Sequence, residues 1–177
     1  MKSHKNISQI FEKRLRTLVN HYNSGEFSDA EILALSITTD APTNQLSWKI
    51  LGSIFGSTGR LSEALEANRK AVQLDSEDAV ALSNLGVTLK ELGRFDESRR
   101  IYAKAIALKP NFSLVHLNLG RLLYIQGQRD LAFKSLERAC SLDKKSKYNR
   151  LLIRLFEEKK IQSKKRYSRS CNNHLDF

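Results

Sequence analysis

The sequence predicts an all-α protein made of about four helix-turn-helix units and a C-terminal capping helix. Three observations carry that prediction. The stretch Ala79 to Phe112 returns at a fixed period: Leu85-Gly86 falls on Leu51-Gly52 and on Leu119-Gly120, and Gly93 falls on Gly25, Gly59 and Gly127. The register holds without insertion or deletion from Phe11 to Ser146, and a constant period of this length marks a repeat architecture. Each unit also holds two patterns of helical spacing. Leu82, Leu85, Gly86 and Leu89 share one face, and Ile101, Tyr102, Ala105, Ile106 and Leu108 share another. Between the two stands a lone glycine, able to take the left-handed conformation that ends a helix.

The elements follow in order. Residues 1–10 are a polar lead, with the first helix expected from Ser8 to about Asn23 and its apolar face formed by Ile10, Phe11, Leu15, Leu18 and Val19. Ser28-Asp29-Ala30-Glu31 has the spacing of a capping box and predicts the start of the second helix. Thr39-Asp40-Ala41-Pro42 reads as a turn. Further helices are expected at about 44–58, 62–74, 77–92, 96–108, 112–126 and 130–142, with Asp96 as an N-cap. The repeat units are 11–44, which is degenerate, then 45–78, 79–112 and 113–146. Tyr148, Leu151, Leu152, Leu155 and Phe156 keep helical spacing. They predict a capping helix over 147–160 whose apolar face covers the end of the last unit. The segment 161–177 has little apolar periodicity and predicts a basic, disordered tail.

Small residues recur at fixed places: Gly86, Ser98 and Ala105 in one unit, Gly52, Ala64 and Ala71 in the unit before. They let two helices approach closely while larger neighbours fill the grooves. The pattern resembles the tetratricopeptide repeat. Trp48, Leu51, Gly52, Phe55, Gly59, Ala64 and Ala71 match it in the second unit. Leu82, Leu85, Gly86, Leu89, Gly93, Tyr102, Ala105 and Pro110 match in the third, and Leu119, Gly120, Leu123, Gly127, Ala132 and Ala139 in the fourth. The first unit keeps Gly25, Phe27, Ala30 and Pro42, but Thr17-Leu18 replaces Leu-Gly. The resemblance implies a right-handed superhelix whose first helices line a concave groove.

At 177 residues the chain is one domain's worth of sequence. No run of about 18 apolar residues suggests a membrane span, and the N-terminus lacks the apolar region of a secretory signal. Cys140 falls where other units hold Val72 and Ile106 and is read as an apolar filler. Cys171 lies in the tail, and neither belongs to a disulfide framework, so a reducing cytoplasm is expected. The net charge of +11 sits at the ends. Residues 21–143 carry 14 Lys and Arg against 15 Asp and Glu, residues 144–177 carry 11 against 3, and residues 1–20 carry 5 against 1. A solubilising role is the expectation for the basic tail. Its rival is weak, salt-sensitive attraction to nucleic acid or an anionic surface, and Tyr167 alone offers a base-stacking ring within 161–176.

No catalytic signature is present, and no cofactor or metal site is expected. The glycines stand singly and build no phosphate loop. His4, His21, His116 and His174 fall in different elements without ligand spacing. Carboxylates such as Asp96 and Glu97 suit a helix N-terminus rather than catalysis.

Binding is the expected function. Arg16, Ile50, Asn84 and Asn118 recur at one offset on the first helices, and an Asn amide can pair with the backbone of an extended peptide. This is similar to the asparagine ladder of O-linked N-acetylglucosamine transferase, with two of four rungs matching. Lys49, Lys90, Arg121 and Tyr124 complete the expected peptide-binding groove with Asn84 and Asn118, joined by Tyr22 in the first unit. Lys90 and Arg121 are read first as scattered surface charge, with attraction of an acidic ligand as the alternative. The carboxylate clamp of chaperone-binding relatives maps onto Lys49, Ser53, Asn84, Leu114 and Asn118. Only Lys49 and Asn84 match it, so chaperone-tail binding is not expected. The resulting expectation is a non-catalytic scaffold, monomer or weak homodimer, that holds an extended peptide or partner helix. Its alternative is the substrate-recruiting part, or a remnant, of a transferase, sulfotransferase or oxygenase system, because similar arrays precede such domains in bacteria. The segment 147–177 after the last repeat is too short for a catalytic domain, and this favours the scaffold.

Overall fold

The computed structural model describes residues 2–143, and among them every regular element is an α-helix. These are α1 (Lys2–Asn23), α2 (Phe27–Asp40), α3 (Gln45–Ser57), α4 (Leu61–Leu74), α5 (Ala79–Glu91), α6 (Phe95–Leu108), α7 (Ser113–Ile125) and α8 (Arg129–Leu142). The expected capping helix 147–160 and the tail 161–177 lie outside the described residues. The chain forms two compact units, the first ending at Lys109 and the second beginning at Pro110.

In the first unit each helix packs against its successor, and α3 also touches both α1 and α5. Its turns are set by glycine. Gly25, Gly59 and Gly93 have φ of 78°, 78° and 73°, a conformation in which a Cβ would crowd the following carbonyl. Helix starts depart from the sequence reading. Ser28 lies inside α2, whose N-cap is Glu26 without a side-chain cap bond. Asp96 likewise lies inside α6, behind the N-cap Arg94. The glycine turn delivers the chain directly into the helix, so the residue after it occupies the cap position. α1 starts at Lys2 rather than Ser8. Side-chain caps appear instead on α3 and α5. Asn44 accepts from Ser47 N at 3.0 Å, and Asp78 accepts from Val80 N and Ala81 N at 2.8 and 3.1 Å.

The core begins with Leu18, Ala30, Ala34, Ile37, Ile50, Leu51, Ile54, Phe55, Ala64 and Ala67, with Trp48 and Leu15 packed against them. Burying each large aliphatic side chain is worth about 1.5–3 kcal/mol. The close approach at Gly86 is explicit: a Cβ there would fall 2.4 Å from Tyr102 Cε1. Beside it, Ser98 Oγ donates to the Gly86 carbonyl at 2.7 Å. The degenerate first repeat solves the same packing with sizes exchanged. Leu18 stands at the place of Gly52 and Gly86, and Ala34 at the place of Tyr102; both are fully buried. Leu108, expected on the apolar face of α6, is instead exposed.

The second unit packs α7 on α8. A Cβ on Gly120 would fall 2.7 Å from Leu136 Cγ, and Val115, Leu122, Leu123, Ala132 and Ala139 are buried. Gly127 makes the turn with φ 76°. Arg138 donates to Asn111 Oδ1 at 2.8 Å. Cys140 is half-buried.

Candidate functional site

In the first unit the wall formed by α1, α3 and α5 opens into a cavity of about 330 Å³. Tyr22 lines it from α1. Gly52, Ser53, Gly56 and Ser57 line it from α3, Asn84, Val87, Thr88 and Glu91 from α5, and Leu61 and Asn68 from α4. The volume is near the lower end of small-molecule sites, about 300–1,000 Å³. Its polar groups are linked. Asn84 Nδ2 donates to Ser53 Oγ at 3.3 Å, tying α5 to α3. Asn68 Nδ2 donates to Thr88 Oγ1 at 3.0 Å, and the Thr88 hydroxyl donates to the Asn84 carbonyl at 3.2 Å. Asn68 Oδ1 is buried without a protein partner, and an unmade buried hydrogen bond costs about 1–3 kcal/mol.

Beside the cavity α3 and α5 are clamped by charge. Lys49 Nζ donates to Asp78 Oδ2 at 2.7 Å, and the two side chains are only 21% and 15% exposed. Gln45 Nε2 donates to the same oxygen at 3.1 Å. Burial pushes the Asp78 carboxyl up, but the Lys49 ammonium and the amides of Ala81 and Val80 outweigh it and hold the group below the usual carboxylate range. Arg60 links three helices, donating to Glu31 at 2.6 Å and to Glu63 and stacking 4.2 Å over the Phe55 ring. Its hydrogen bond to Arg60 lowers Glu63 in turn.

Across the α1–α2 turn, His21, Glu26 and Asp29 bring ligand-type atoms within 4.8 Å of one another, a proximity not foreseen for His21. His21 Nδ1 is hydrogen-bonded to Glu26. Both carboxylates are exposed, and the cluster reads as a turn staple rather than a metal centre.

Three family models match the chain: a TPR repeat over residues 52–93 and tetratricopeptide repeats over 79–112 and 115–146. The chain belongs to the tetratricopeptide repeat family. At that level it is a scaffold for protein–protein interaction, and its fold is the all-α tetratricopeptide solenoid. Among curated proteins it is 30% identical over 127 residues to the mouse protein O-mannosyl-transferase TMTC1. That match takes in 70% of this chain and 14% of the transferase, so the chain spans about a seventh of that relative's length. Among solved structures, pilF of Pseudomonas aeruginosa superposes with a TM-score of 0.78 at 21% identity, over 88% of this chain and 71% of that one. The Thermobaculum terrenum O-GlcNAc transferase gives 0.65 at 24% identity, over 72% and 26%. The first TPR of Spaghetti (RPAP3), solved bound to the HSP90 peptide SRMEEVD, gives 0.61 at 19% identity, over 64% and 90%.

The tetratricopeptide units place the expected groove residues unevenly. Asn84 lines the cavity. Lys49 and Lys90 are not open cations: Lys49 serves Asp78 as above, and Lys90 Nζ pairs with Glu91 Oε1 at 2.7 Å with its own side chain 12% exposed. In the series Arg16, Ile50, Asn84 and Asn118, Ile50 is 5% exposed and Asn118 7% exposed. Those two therefore belong to packed interior rather than open wall. In the second unit Arg121 is exposed and Tyr124 half-buried on α7. Sequence reading missed Ser53 as a cavity residue, together with Asn68, Thr88 and Glu91. A signal for Asn68 existed: in the next two repeats its place holds Tyr102 and Leu136, so a short amide stands where the repeat sets a large packing side chain.

Proposed function

We propose that the first-helix wall of the unit formed by α1–α6 holds an extended segment of a protein partner. The cavity between α3 and α5 is the observation that carries this reading. It is a partly open recess, mostly apolar in surface but carrying polar side chains that retain hydrogen-bonding capacity, on a module whose family serves protein interaction. Asn84 supplies both donor and acceptor there, and such an amide suits a peptide backbone. The TPR neighbour solved with an HSP90 peptide supports the mode of binding, not the same ligand. Leu114 stands where the carboxylate clamp needs a cation, and Lys49 is already engaged by Asp78.

The test is a pull-down with the wild-type chain, followed by binding of the recovered partner to two double variants. Ser53→Ala with Asn84→Ala removes side-chain hydrogen bonds from the wall. Arg69→Ala with Arg100→Ala changes exposed residues on α4 and α6. The wall variant is expected to bind about ten- to a hundredfold more weakly, since each lost hydrogen bond costs about 0.5–1.5 kcal/mol. Loss in the arginine variant with retention in the wall variant overturns the reading.

The match to an O-mannosyl-transferase supports a second reading, in which the repeats recruit substrate for a transferase. Mass spectrometry of the same pull-down separates the two. A transferase recovered in stoichiometric amount favours recruitment, and a non-enzymatic partner favours the scaffold. The basic tail as a nucleic-acid contact is a third reading and concerns residues outside the described fold.

A further inference from the structure

All but one of the eight glycines have a structural reason. Gly25, Gly59, Gly93 and Gly127 turn the chain with positive φ. Gly52, Gly86 and Gly120 make room for Asn68, Tyr102 and Leu136, where a Cβ would fall 2.1, 2.4 and 2.7 Å from a side-chain atom. Gly56 is the exception. It lies in the last turn of α3, its φ is not positive, and a Cβ on it would meet nothing within 4 Å. A helical glycine with no such need weakens its helix relative to alanine. The space beside it is the cavity, which Gly56 lines together with Ser53. In the other repeats the place of Gly56 holds Tyr22, Lys90 and Tyr124, and the place of Ser53 holds Val19, Val87 and Arg121. On α3 alone both places are small.

The lining is mostly apolar in surface, and its polar groups are of both kinds. Ser53 Oγ accepts from Asn84 Nδ2 at 3.3 Å, so its own proton is left to donate. Asn84 Oδ1 is left to accept, as is the Glu91 oxygen that does not engage Lys90.

We propose that this recess is a specificity site for one tyrosine side chain of the bound partner segment. The ring takes the space beside Gly56, and the hydroxyl exchanges hydrogen bonds with Ser53 and Asn84. A cavity of about 330 Å³ is near the lower end of small-molecule sites, about 300–1,000 Å³, and suits one side chain rather than a whole ligand. An apolar lining with a few polar groups asks for a large apolar body with one polar end, which is the character of tyrosine. A phenol both donates and accepts, whereas an indole or an ammonium only donates, and the lining offers both partners. The chain itself sets tyrosine at the place of Gly56 in two other repeats, Tyr22 and Tyr124. The partner thus supplies the ring that α3 omits. This inference rests on the wall being the partner-binding surface and names what that surface selects.

The experiment is an NMR titration of the full chain, labelled with 15N. The probes are four short Gly/Ser peptides, identical except for one central Tyr, Phe, Leu or Lys. The backbone signals of Ser53 and Gly56 and the side-chain amide of Asn84 should shift most with the Tyr peptide. The Phe peptide should bind about two- to tenfold more weakly, the cost of one neutral hydrogen bond. The Leu peptide should be weaker still, and the Lys peptide should leave Gly56 unmoved. Asn84→Ala should remove the preference for Tyr over Phe. Gly56→Ala should raise the midpoint of urea unfolding, because it adds a methyl to open space on a helix. Gly56→Tyr, which copies Tyr22 and Tyr124, should lose the Tyr peptide by tenfold or more. Retention of the Tyr peptide by folded Gly56→Tyr overturns the assignment. A lowered midpoint in Gly56→Ala also does so, since it gives this glycine a role in packing. Equal shifts along α3 and α5 from Tyr and Leu peptides keep the wall and refute the pocket. No shift with any of the four refutes the pocket, and the pull-down with Ser53→Ala and Asn84→Ala then decides the wall separately.

Discussion

Tyr102 and Asn68 hold the same place in successive repeats and differ in size. Gly86 is bound to Tyr102 by contact: the missing Cβ is the space that the ring occupies. Gly86→Leu is therefore expected to destabilise the chain by about 1–3 kcal/mol through overpacking, read as a lowered midpoint in urea unfolding. An unchanged midpoint would remove Gly86 from the helix contact. Asn68→Leu is expected to act in the opposite direction. It fills part of the cavity and removes a buried acceptor whose unmade bond costs about 1–3 kcal/mol, so the same assay should show an increase. The glycines were legible in the sequence because a constant period exposes them at once. The role of Asn68 was not, because periodicity marks where a position packs and is silent on what space remains when the side chain there is short. Leu18 and Ala34 teach the same lesson. The first repeat breaks the Leu-Gly pattern, yet both places stay buried with large and small exchanged.

At the level of elements, the repeat set the ends of α2 to α8 within a residue or two, while α1 starts six residues before the expected Ser8 and capping depended on geometry. Ser28 and Asp96 have cap-like identities and sit inside their helices, since the glycine turn hands the chain over earlier. Asp78 is a cap by both identity and position, and it does more than its spacing shows. One carboxylate oxygen closes the start of α5, and the other receives Lys49 and Gln45 of α3. Asp78→Ala should thus cost at least the usual loss of a cap, about 0.5–2 kcal/mol, with the unpaired Lys49 adding to it. The pH dependence follows from the depressed folded pKa of Asp78. Its stabilisation is complete above the ordinary aspartate value of about 3.9 and is lost as pH falls through the lower folded value. Wild type and Asp78→Ala should therefore converge in stability on the acid side and separate toward neutrality. A difference that is constant from neutral pH down to strong acid would show that the carboxylate charge is not what holds α3 to α5. Lys49 and Lys90, placed in the expected groove, are paired with Asp78 and Glu91 within the fold: sequence gives the charges, and only the fold shows their partners.

For the whole molecule, the charge distribution separates the repeat body from the ends, with residues 21–143 near neutral and the excess of basic residues outside them. Association with nucleic acid, where it occurs, is expected to be weak at low salt and to fall steeply as salt rises. Tight binding of duplex DNA near physiological salt, measured by fluorescence anisotropy, would move the function to the basic ends. The repeat body, in contrast, offers a wall with a partly open recess, and that wall is the claim on which the account turns. Its most direct test is photo-crosslinking from the wall itself. A photoreactive amino acid placed at Ser53, which meets Asn84 across α3 and α5, should crosslink to the partner recovered with the wild-type chain. The same group at Arg69, exposed on α4, should not. Crosslinks from position 69 and none from position 53 would contradict the account.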